Sequence, residues 1–481
     1  MRHSIVTLLV TAALVGGTRA ASEPLSLAEV ARVDAAATAA LAKTGAPSVS
    51  IAVVRDGRIA FARAYGQQRL SPAAAATPDT RYDIGSVAKQ FTAAAVLMLQ
   101  EDRRLSLDDH VGRFVANVSG AGKVTLRQLL SHTAGYRSYW TVDYLPAAMH
   151  RPVDPQQIVD RWGRMPLGFA PGSQWRYSNT DYTIAGLIVE RLSGEPLAAF
   201  LRQRIFRPLQ MTSARPASEE RGDQNYATGY TQYALGPLRP APVIPSGWEF
   251  AAGGLSMTPS DLARWDISII DRSILRGRSY DAQQTDVTLS DGTSSGYGLG
   301  VYVDSVAGHR RLRHDGGSEG FLTENRVYPD DRAAIVVATN TDGVGFPLSG
   351  IADEIEGMLL SHSAAAPTVR SSRPPPLKPM PGPDPTPLAR SLVAQLSAGR
   401  LDRSRLTSNA NGYFSPTVLS DYRRSLSALG EPVAVTLRQR DVIDGLDASL
   451  FAVTWAHTKL IAILRTQPDG LVEEFTMFPP G

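Results

Sequence analysis

A proline-rich stretch near residue 370 sets the strongest limit on how this chain can fold. Nine of the 21 residues from Pro367 to Pro387 are proline, with serine, arginine and glycine between them. Proline lacks a backbone N–H and fixes φ, so such a stretch neither pairs in a sheet nor packs as a core, and it is typical of an extended linker. The 481-residue chain is therefore predicted to form two parts, residues 21–362 and residues 388–481, joined by a linker over residues 363–387.

The first twenty residues have the pattern of a secretory signal. Arg2 and His3 give a short basic start, residues 5–15 are almost wholly apolar, and residues 18–20 offer a small-x-small cleavage site. A buried first helix is the alternative. The apolar run is too short to span a bilayer, and no later segment reaches 18 apolar residues. We therefore expect residues 1–20 to be removed and the mature chain, without a stable membrane span, to be periplasmic or secreted.

Strand patterns lie at both ends of the large part, and helical patterns lie between them. Ser48–Arg55 and Arg58–Tyr65 flank Asp56-Gly57, a dipeptide that favours a two-residue hairpin turn. A second hairpin is predicted around residues 329–331, and a helix follows over residues 347–360. This order predicts a sheet that is built from the two ends of the part and covered by a helical middle.

Composition excludes several classes of function. The chain has no cysteine, so it offers no disulfide and no thiolate as nucleophile or metal ligand. Its eight histidines are scattered without the spacing of metal ligands, so no metal site is expected. The net charge is +3 without a long basic run, so no nucleic-acid partner is expected. Lysine is scarce, with 5 Lys beside 44 Arg, which gives weight to a lysine inside a motif.

The first candidate motif is Ser86-Val87-Ala88-Lys89, which precedes the strongly helical residues 90–101. Spacing of i, i+3 puts the serine and the lysine on one face of a helix, within reach of each other. Serine needs a neighbouring base to become a nucleophile, and a buried lysine can act as that base because, unlike arginine, it can lose its proton. From the tetrapeptide alone, a serine cap followed by a surface lysine is the alternative.

Two further motifs follow along the chain. Tyr177-Ser178-Asn179 precedes a helical run, where a tyrosine could relay a proton and the asparagine could hold a carbonyl or the lysine. A turn in which Asn179 caps the next helix is the alternative. His314-Asp315-Gly316-Gly317 follows a strand pattern, where an edge strand with glycines would let a ligand approach and an N–H could help to form an oxyanion hole. A glycine-rich hairpin turn with a surface histidine is the alternative there.

The order of these motifs resembles the serine β-lactamase and penicillin-binding-protein superfamily, in particular its class C β-lactamase, D-peptidase and esterase branch. The resemblance covers residues 45–360 and includes three framework stretches, residues 129–135, 253–263 and 297–300. It implies an α/β (α+β) fold in which a β-lactamase/transpeptidase-like antiparallel sheet is flanked by helices and accompanied by an all-helical region. It also implies that His132, within the first framework stretch, is structural.

The resemblance implies a role for each motif residue. Ser86 attacks a carbonyl and forms an acyl-enzyme, Lys89 and Tyr177 share the proton transfers, and no cofactor takes part. The N–H groups of Ser86 and Gly317 form the oxyanion hole. The substrate-binding residues that it implies are Asn179, His314, Gly316 and Gly317.

One departure from the family pattern bears on the substrate. Class C β-lactamases usually carry Lys-Thr-Gly where this chain has His314-Asp315-Gly316, and that lysine helps to hold the carboxylate of a β-lactam. Histidine is only partly charged near neutral pH, and Asp315 would repel a carboxylate if it faced inward. Arg311 or Arg313 could compensate for the missing lysine. The aromatic residues that could wall the pocket are Tyr136, Tyr139 and Trp140.

We therefore expect an exported serine hydrolase that forms an acyl-enzyme on a small amide or ester. The first candidate substrate is a D-amino-acid-containing peptide, cleaved by a D-aminopeptidase or DD-carboxypeptidase type of reaction, and a peptidoglycan-derived peptide fits that class. A class C-type β-lactamase or penicillin-binding enzyme is the second candidate, and a catalytically silent binding protein is the third. The oligomeric state is open.

Helices followed by strands are predicted in the small part. Helical patterns over residues 388–401 and 416–429 precede four strand-like runs at residues 433–440, 449–455, 460–466 and 471–477. This order indicates a small α+β domain, and it resembles the NTF2-like accessory domains found behind some hydrolases. No catalytic trio lies within it, and a lid, a cell-wall-binding module and a dimerisation unit are open interpretations.

Overall fold

A computed structural model describes residues 24–220, 222–360 and 382–480. The predicted signal sequence, residues 1–20, and residues 363–381 of the predicted linker lie outside the described residues. No helix within the described ranges is both long and apolar enough to cross a membrane.

The large part contains a seven-stranded antiparallel sheet. Within its described residues, the twelve strands of the part are β1 (Ser48–Arg55), β2 (Arg58–Leu70), β3 (Ala73–Ala75), β4 (Tyr82–Asp83), β5 (Arg215–Pro216), β6 (Tyr230–Thr231), β7 (Arg239–Pro240), β8 (Leu255–Met257), β9 (Tyr302–Val306), β10 (His309–Ser318), β11 (Phe321–Tyr328) and β12 (Ala333–Thr339). The order in the large sheet is β3-β2-β1-β12-β11-β10-β9. Because β1 pairs with β12, with Val49 opposite Thr339, the prediction that both ends of the part form one sheet is confirmed.

Turn chemistry fixes the first hairpin of this sheet. Asp56 and Gly57 have φ angles of 54° and 73°, and positive φ at both central residues is what a type I′ turn requires. Asn, Asp and Gly adopt that conformation at low cost, so the dipeptide sets the register between β1 and β2.

Helices cover both faces of the large sheet. Over residues 24–220 and 222–360, the ten α-helices are α1 (Leu27–Thr44), α2 (Lys89–Glu101), α3 (Leu126–Leu130), α4 (Pro155–Ile158), α5 (Asn179–Ser193), α6 (Leu197–Leu201), α7 (Phe250–Gly253), α8 (Pro259–Asp271), α9 (Gly277–Gln284) and α10 (Leu348–Leu360). Alternate residues of β1 pack on opposite sides. Ile51 and Val53 join the core with α1 and α10, while Ala52 and Val54 join the core with α2 and α8. This confirms the mixed α/β fold class.

The small part has a core cluster that also includes Ala234 of the large part. Its elements are the helices α11 (Thr386–Ser397), α12 (Ser408–Tyr413) and α13 (Pro416–Ser427) and the strands β13 (Ala434–Ile443), β14 (Leu446–Thr454), β15 (Lys459–Thr466) and β16 (Val472–Phe478). The four strands form an antiparallel meander in chain order. The helix α12 lies between the two predicted helices, and its start at the Thr407 cap has no apolar repeat to signal it. The resemblance to NTF2-like domains stays a prediction.

Candidate active site

Ser86 lies at the start of the most deeply buried helix of the large part. A 3₁₀ turn over Gly85–Ala88 leads directly into α2, and nearly every residue of α2 is buried. Strand β10 passes close above this turn. A Cβ atom added to Gly316 would lie 1.9 Å from the Ile84 carbonyl oxygen, and one added to Gly85 would lie 2.6 Å from the Gly317 carbonyl oxygen. Glycine at these positions therefore lets β10 approach the serine closely.

Lys89 is completely buried, with its amine next to the serine. Its Nζ lies 3.1 Å from Ser86 Oγ, 2.8 Å from Asn179 Oδ1 and 2.6 Å from the Ala252 carbonyl oxygen. Burial lowers the pKa of Lys89 well below its ordinary value, against the opposing charges of Glu249 and Asp181. In its neutral form the amine has two N–H groups, which match the asparagine and carbonyl acceptors, and one lone pair, which is left for the Ser86 hydroxyl proton.

Tyr177 completes the contacts of the serine hydroxyl. Its OH donates to Ser86 Oγ at 2.5 Å, and its ring lies 4.7 Å from Lys89 Nζ. Burial raises the pKa of Tyr177 above its ordinary value, so the phenol keeps its proton near neutral pH. Ser86 therefore accepts from the tyrosine, and it can donate to the lysine when the amine is neutral.

Asn179 occupies the first position of α5, and its side chain is turned toward the site. The residue before it, Ser178, is the helix cap and makes no side-chain capping bond. The Asn179 side-chain oxygen instead accepts from Lys89. The spacing of Tyr177 and Asn179 therefore lets both side chains contact Lys89.

His132 supports the site from behind. It is completely buried, its ring centroid lies 4.5 Å from that of Tyr177, and its Nδ1 accepts from the Ser178 N–H at 3.2 Å. The Asp181 carboxyl lies 3.1 Å from the same nitrogen. Burial lowers the pKa of His132 well below its ordinary value and raises that of Asp181, so burial favours the neutral form of each group. The ring contact with His132 helps to position the tyrosine ring.

His314 is a residue of β10, and its side chain is almost fully buried. Its Nδ1 is 2.7 Å from the Asp315 carbonyl oxygen, which can only accept, so Nδ1 carries the proton and Nε2 accepts from the Tyr297 hydroxyl at 2.9 Å. Burial lowers the pKa of His314 to about 3, so the imidazole is neutral. Neither His314 nor Gly316 lines the cavity at Ser86, and their role in substrate binding stays a prediction.

The strand around His314 has a free side where the serine lies. Strand β10 is second from the edge of the sheet, but its pairing with β9 ends at Arg313. Among the strands that the structure describes, residues 314–318 therefore pair with β11 alone. The two arginines considered as substitutes for the missing lysine both bind Asp304, and Arg311 also binds Glu356.

A cavity of about 600 Å³ opens at Ser86. Tyr139 and Trp140 line it as the sequence indicated, whereas Tyr136 does not, and its hydroxyl donates to the Ser119 carbonyl oxygen. Four acidic residues line the cavity, and no Lys or Arg is among the described residues that line it. The four acidic residues are Asp143, Glu249, Glu319 and Asp342.

These acidic residues were missed by the sequence analysis because nothing in their local pattern marks them. Burial raises the pKa of Glu249, Glu319 and Asp342, which means that the protein does not fully stabilise their ionised forms. Glu249 Oε1 accepts from the Ser318 hydroxyl at 2.9 Å. The cavity is thus suited to a group with positive charge.

Comparison with known proteins identifies the family. The model of the family described as Beta-lactamase matches residues 33–355. The chain belongs to the beta-lactamase family. The resemblance seen in the motifs is thereby confirmed for the large part.

Curated proteins of known name also resemble this chain. The chain is 29% identical over 302 residues to a D-aminopeptidase of Brucella ovis, a match that covers 62% of this chain and 57% of the relative. It is also 29% identical over 318 residues to a D-aminopeptidase of Brucella anthropi, with 64% and 59% covered. The chain therefore spans less than two thirds of the length of these relatives.

Solved structures show the same fold. A D-stereospecific amidohydrolase from Streptomyces is 25% identical with a TM-score of 0.59, and 69% of this chain and 99% of that chain are covered. The octameric penicillin-binding protein homologue from Pyrococcus abyssi is 20% identical with a TM-score of 0.61, and 93% and 99% are covered. The second match extends over most of the small part and concerns the fold alone.

Proposed function

We propose that this protein is a serine hydrolase that cleaves an amide or ester next to a D-amino acid with a free amino group. The observation that carries this proposal is the position of the Ser86 hydroxyl, between the Lys89 amine at 3.1 Å and the Tyr177 hydroxyl at 2.5 Å. A nucleophile with an adjacent base and acid is the arrangement that acyl transfer needs.

Each proton in the reaction has a donor and an acceptor in this arrangement. Ser86 Oγ attacks the carbonyl carbon while its proton passes to Lys89, and the oxyanion faces the N–H groups of Ser86 and Gly317. When the C–N bond breaks, Tyr177 gives its proton to the leaving amine and recovers one from the Lys89 ammonium. Water then attacks the acyl-enzyme, with the lysine and tyrosine acting again as base and acid, and the free acid leaves.

The charge of the cavity supports a substrate with an ammonium group. Glu249, Glu319 and Asp342 are buried carboxyl groups whose pKa values burial has raised, and a bound ammonium would stabilise their ionised forms. Two curated relatives are named D-aminopeptidase, and this name supports the D configuration and the free amine.

The same carboxyl groups weigh against an anionic β-lactam. The carboxylate of such a substrate would enter a cavity with four acidic residues and no described Lys or Arg on its wall. The neutral His314 cannot replace a lysine there. The amine-bearing substrate is therefore favoured over the second candidate from the sequence.

We also propose that the mature chain is exported to the periplasm or the medium. Support for this comes from the basic start, the apolar residues 5–15 and the cleavage pattern at residues 18–20 of the sequence.

Substrate comparison tests the proposed reaction. D-alanine p-nitroanilide should be hydrolysed at least about 10²-fold faster than its N-acetyl derivative, because acetylation removes the ammonium group while leaving the scissile amide in place. The L-isomer and nitrocefin complete the panel, and Ser86→Ala is the inactive control. Equal rates for the free and acetylated amides, or a preference for nitrocefin, would contradict the proposed substrate.

A further inference from the structure

Part of the cavity wall at Ser86 comes from the small part of the chain. Beside residues of the large part, the wall includes Gly412, Tyr413, Val418, Met477 and Phe478. These residues come from α12, the start of α13 and the end of β16. The cavity in which a substrate would bind is thus incomplete without the small part.

Tyr413 is the central aromatic residue of this contribution. Its ring stacks on that of Tyr144, with centroids 4.4 Å apart and planes inclined by 26°. It also meets Tyr233 edge to face, with centroids 5.9 Å apart. All three tyrosines line the cavity at Ser86, and two of them belong to the large part.

The small part is fixed against the large part at this point. The Tyr144 hydroxyl donates to the Glu473 carbonyl oxygen at 2.7 Å, and the Asp143 N–H donates to the Glu474 carboxylate at 3.3 Å. These bonds attach β16 to the loop that also carries Trp140, another cavity residue. Hydrogen bonds across the interface therefore hold the aromatic wall in place.

A second contact between the two parts lies further along the interface. Arg239 of the large part forms an ion pair with Asp421 of α13, and the Asp421 side chain is fully buried. A buried charge pair with hydrogen bonds fixes the relative position of its two carriers, because separation would leave the carboxylate without a partner.

We propose that the small part completes the substrate site, and that Tyr413, with Tyr144 and Tyr233, forms an aromatic subsite for a large apolar or aromatic group of the substrate. Aromatic rings bind such groups through apolar contact and through offset or edge-to-face ring packing. The proposal rests on the proposed function in one respect, that the cavity at Ser86 is where substrate binds. It adds that the substrate is a short D-amino-acid amide or peptide with an aromatic or large apolar residue, and that Tyr413 is a specificity-determining residue.

Binding to a non-hydrolysing protein tests this subsite without relying on catalysis. In the full-length chain with Ser86→Ala, the dissociation constants of D-phenylalaninamide, D-alaninamide, D-alanyl-D-phenylalanine and D-alanyl-D-alanine are measured with and without Tyr413→Ala. The compounds form two pairs, the two amides and the two dipeptides, and each pair compares a phenylalanine compound with its alanine counterpart. In at least one pair, we expect Tyr413→Ala to weaken binding of the phenylalanine compound about tenfold and binding of the alanine compound less than threefold.

Matched variants separate the subsite from general damage. Tyr413→Leu keeps an apolar side chain at the interface and should lose the same preference if Tyr413→Ala does not fold. Tyr413→Phe keeps the ring and should retain the preference. Val433→Ala changes an exposed residue of the small part, 73% accessible, and should bind all four compounds as the parent does.

The outcomes distinguish this proposal from the proposed function. A phenylalanine-to-alanine ratio that stays within twofold of the parent in Tyr413→Ala and Tyr413→Leu would overturn the subsite. So would failure of the parent to bind any of the four compounds. Absence of hydrolysis by the Ser86-containing protein, with the aromatic preference intact in the binding measurement, would overturn the proposed reaction and leave the subsite standing.

Discussion

Replacement of Lys89 by methionine provides a direct test of the protonation state on which the proposed chemistry depends. An unfolded lysine binds its proton up to about pH 10.5, whereas burial lowers the pKa of Lys89 well below that value in the folded chain. Between the two values the unfolded state binds one proton more than the folded state. Unfolding free energy therefore rises with pH in this window, and Lys89→Met removes this contribution.

The expected size of the effect follows from a single proton. One proton gives a slope of about 1.4 kcal/mol per pH unit, so wild type should gain about 2.7 kcal/mol over Lys89→Met across two pH units inside the window. Denaturant titrations of both proteins from pH 7 to pH 10, followed by tryptophan fluorescence, measure this difference. Titrating groups that do not interact with Lys89 are shared by the two proteins and cancel.

The exposed Lys123 gives the control. Lys123→Met should differ from wild type by the same amount at every pH. If the curves of wild type and Lys89→Met run parallel over this range, Lys89 keeps its proton in the folded chain, and its assignment as the resting base is refuted.

Three further predictions concern the groups around the serine. Tyr177→Phe removes the hydroxyl that donates to the nucleophile and keeps the ring, so kcat should fall about 10²–10⁴-fold with an unchanged circular dichroism spectrum, and a wild-type kcat would contradict its role. Gly316→Ala places a Cβ atom 1.9 Å from the Ile84 carbonyl oxygen, whereas the Cβ atom in Gly317→Ala has no atom nearer than 3.7 Å. Denaturant titration should therefore show that the free energy of unfolding falls by about 1–3 kcal/mol in Gly316→Ala but not in Gly317→Ala. Equal losses in the two variants would contradict the close approach of β10 to the serine turn. Glu249→Gln removes a charge that raises the pKa of the buried lysine, so the acid limb of the pH profile of kcat/KM should move to lower pH, and an unmoved limb would show that the two groups are not coupled.

Local patterns in the sequence predicted much of the fold. The Asp56-Gly57 turn, the buried strand β1 and the paired strand β12 each follow from residue types within a few positions, because turn geometry and burial act locally. The helix α12 was missed, since its six residues carry one buried side chain and its start depends on the Thr407 cap.

The sequence placed the motif residues but not their surroundings. Ser86, Lys89, Tyr177 and Asn179 come together as their spacing and order suggested. Which side chains line the cavity depends on chain segments that are far apart in sequence.

Glu249, Glu319 and Tyr413 illustrate this limit. They lie on separate loops and helices, two in the large part and one in the small part, and packing alone brings them to one wall. Neither periodicity nor a short motif signals such a convergence. The charge of the cavity and the contribution of the small part therefore emerge only from the three-dimensional arrangement.

Labelling by a fluorophosphonate tests the central claim, an activated serine at position 86, most directly. Such a probe phosphonylates a serine only when the hydroxyl is activated, and intact mass counts the adducts on the full chain. The account predicts one adduct on wild type, one on Ser318→Ala, which changes a neighbouring hydroxyl of the cavity, and none on Ser86→Ala. An adduct that persists in Ser86→Ala, or a folded wild-type protein that takes up no probe, would contradict it.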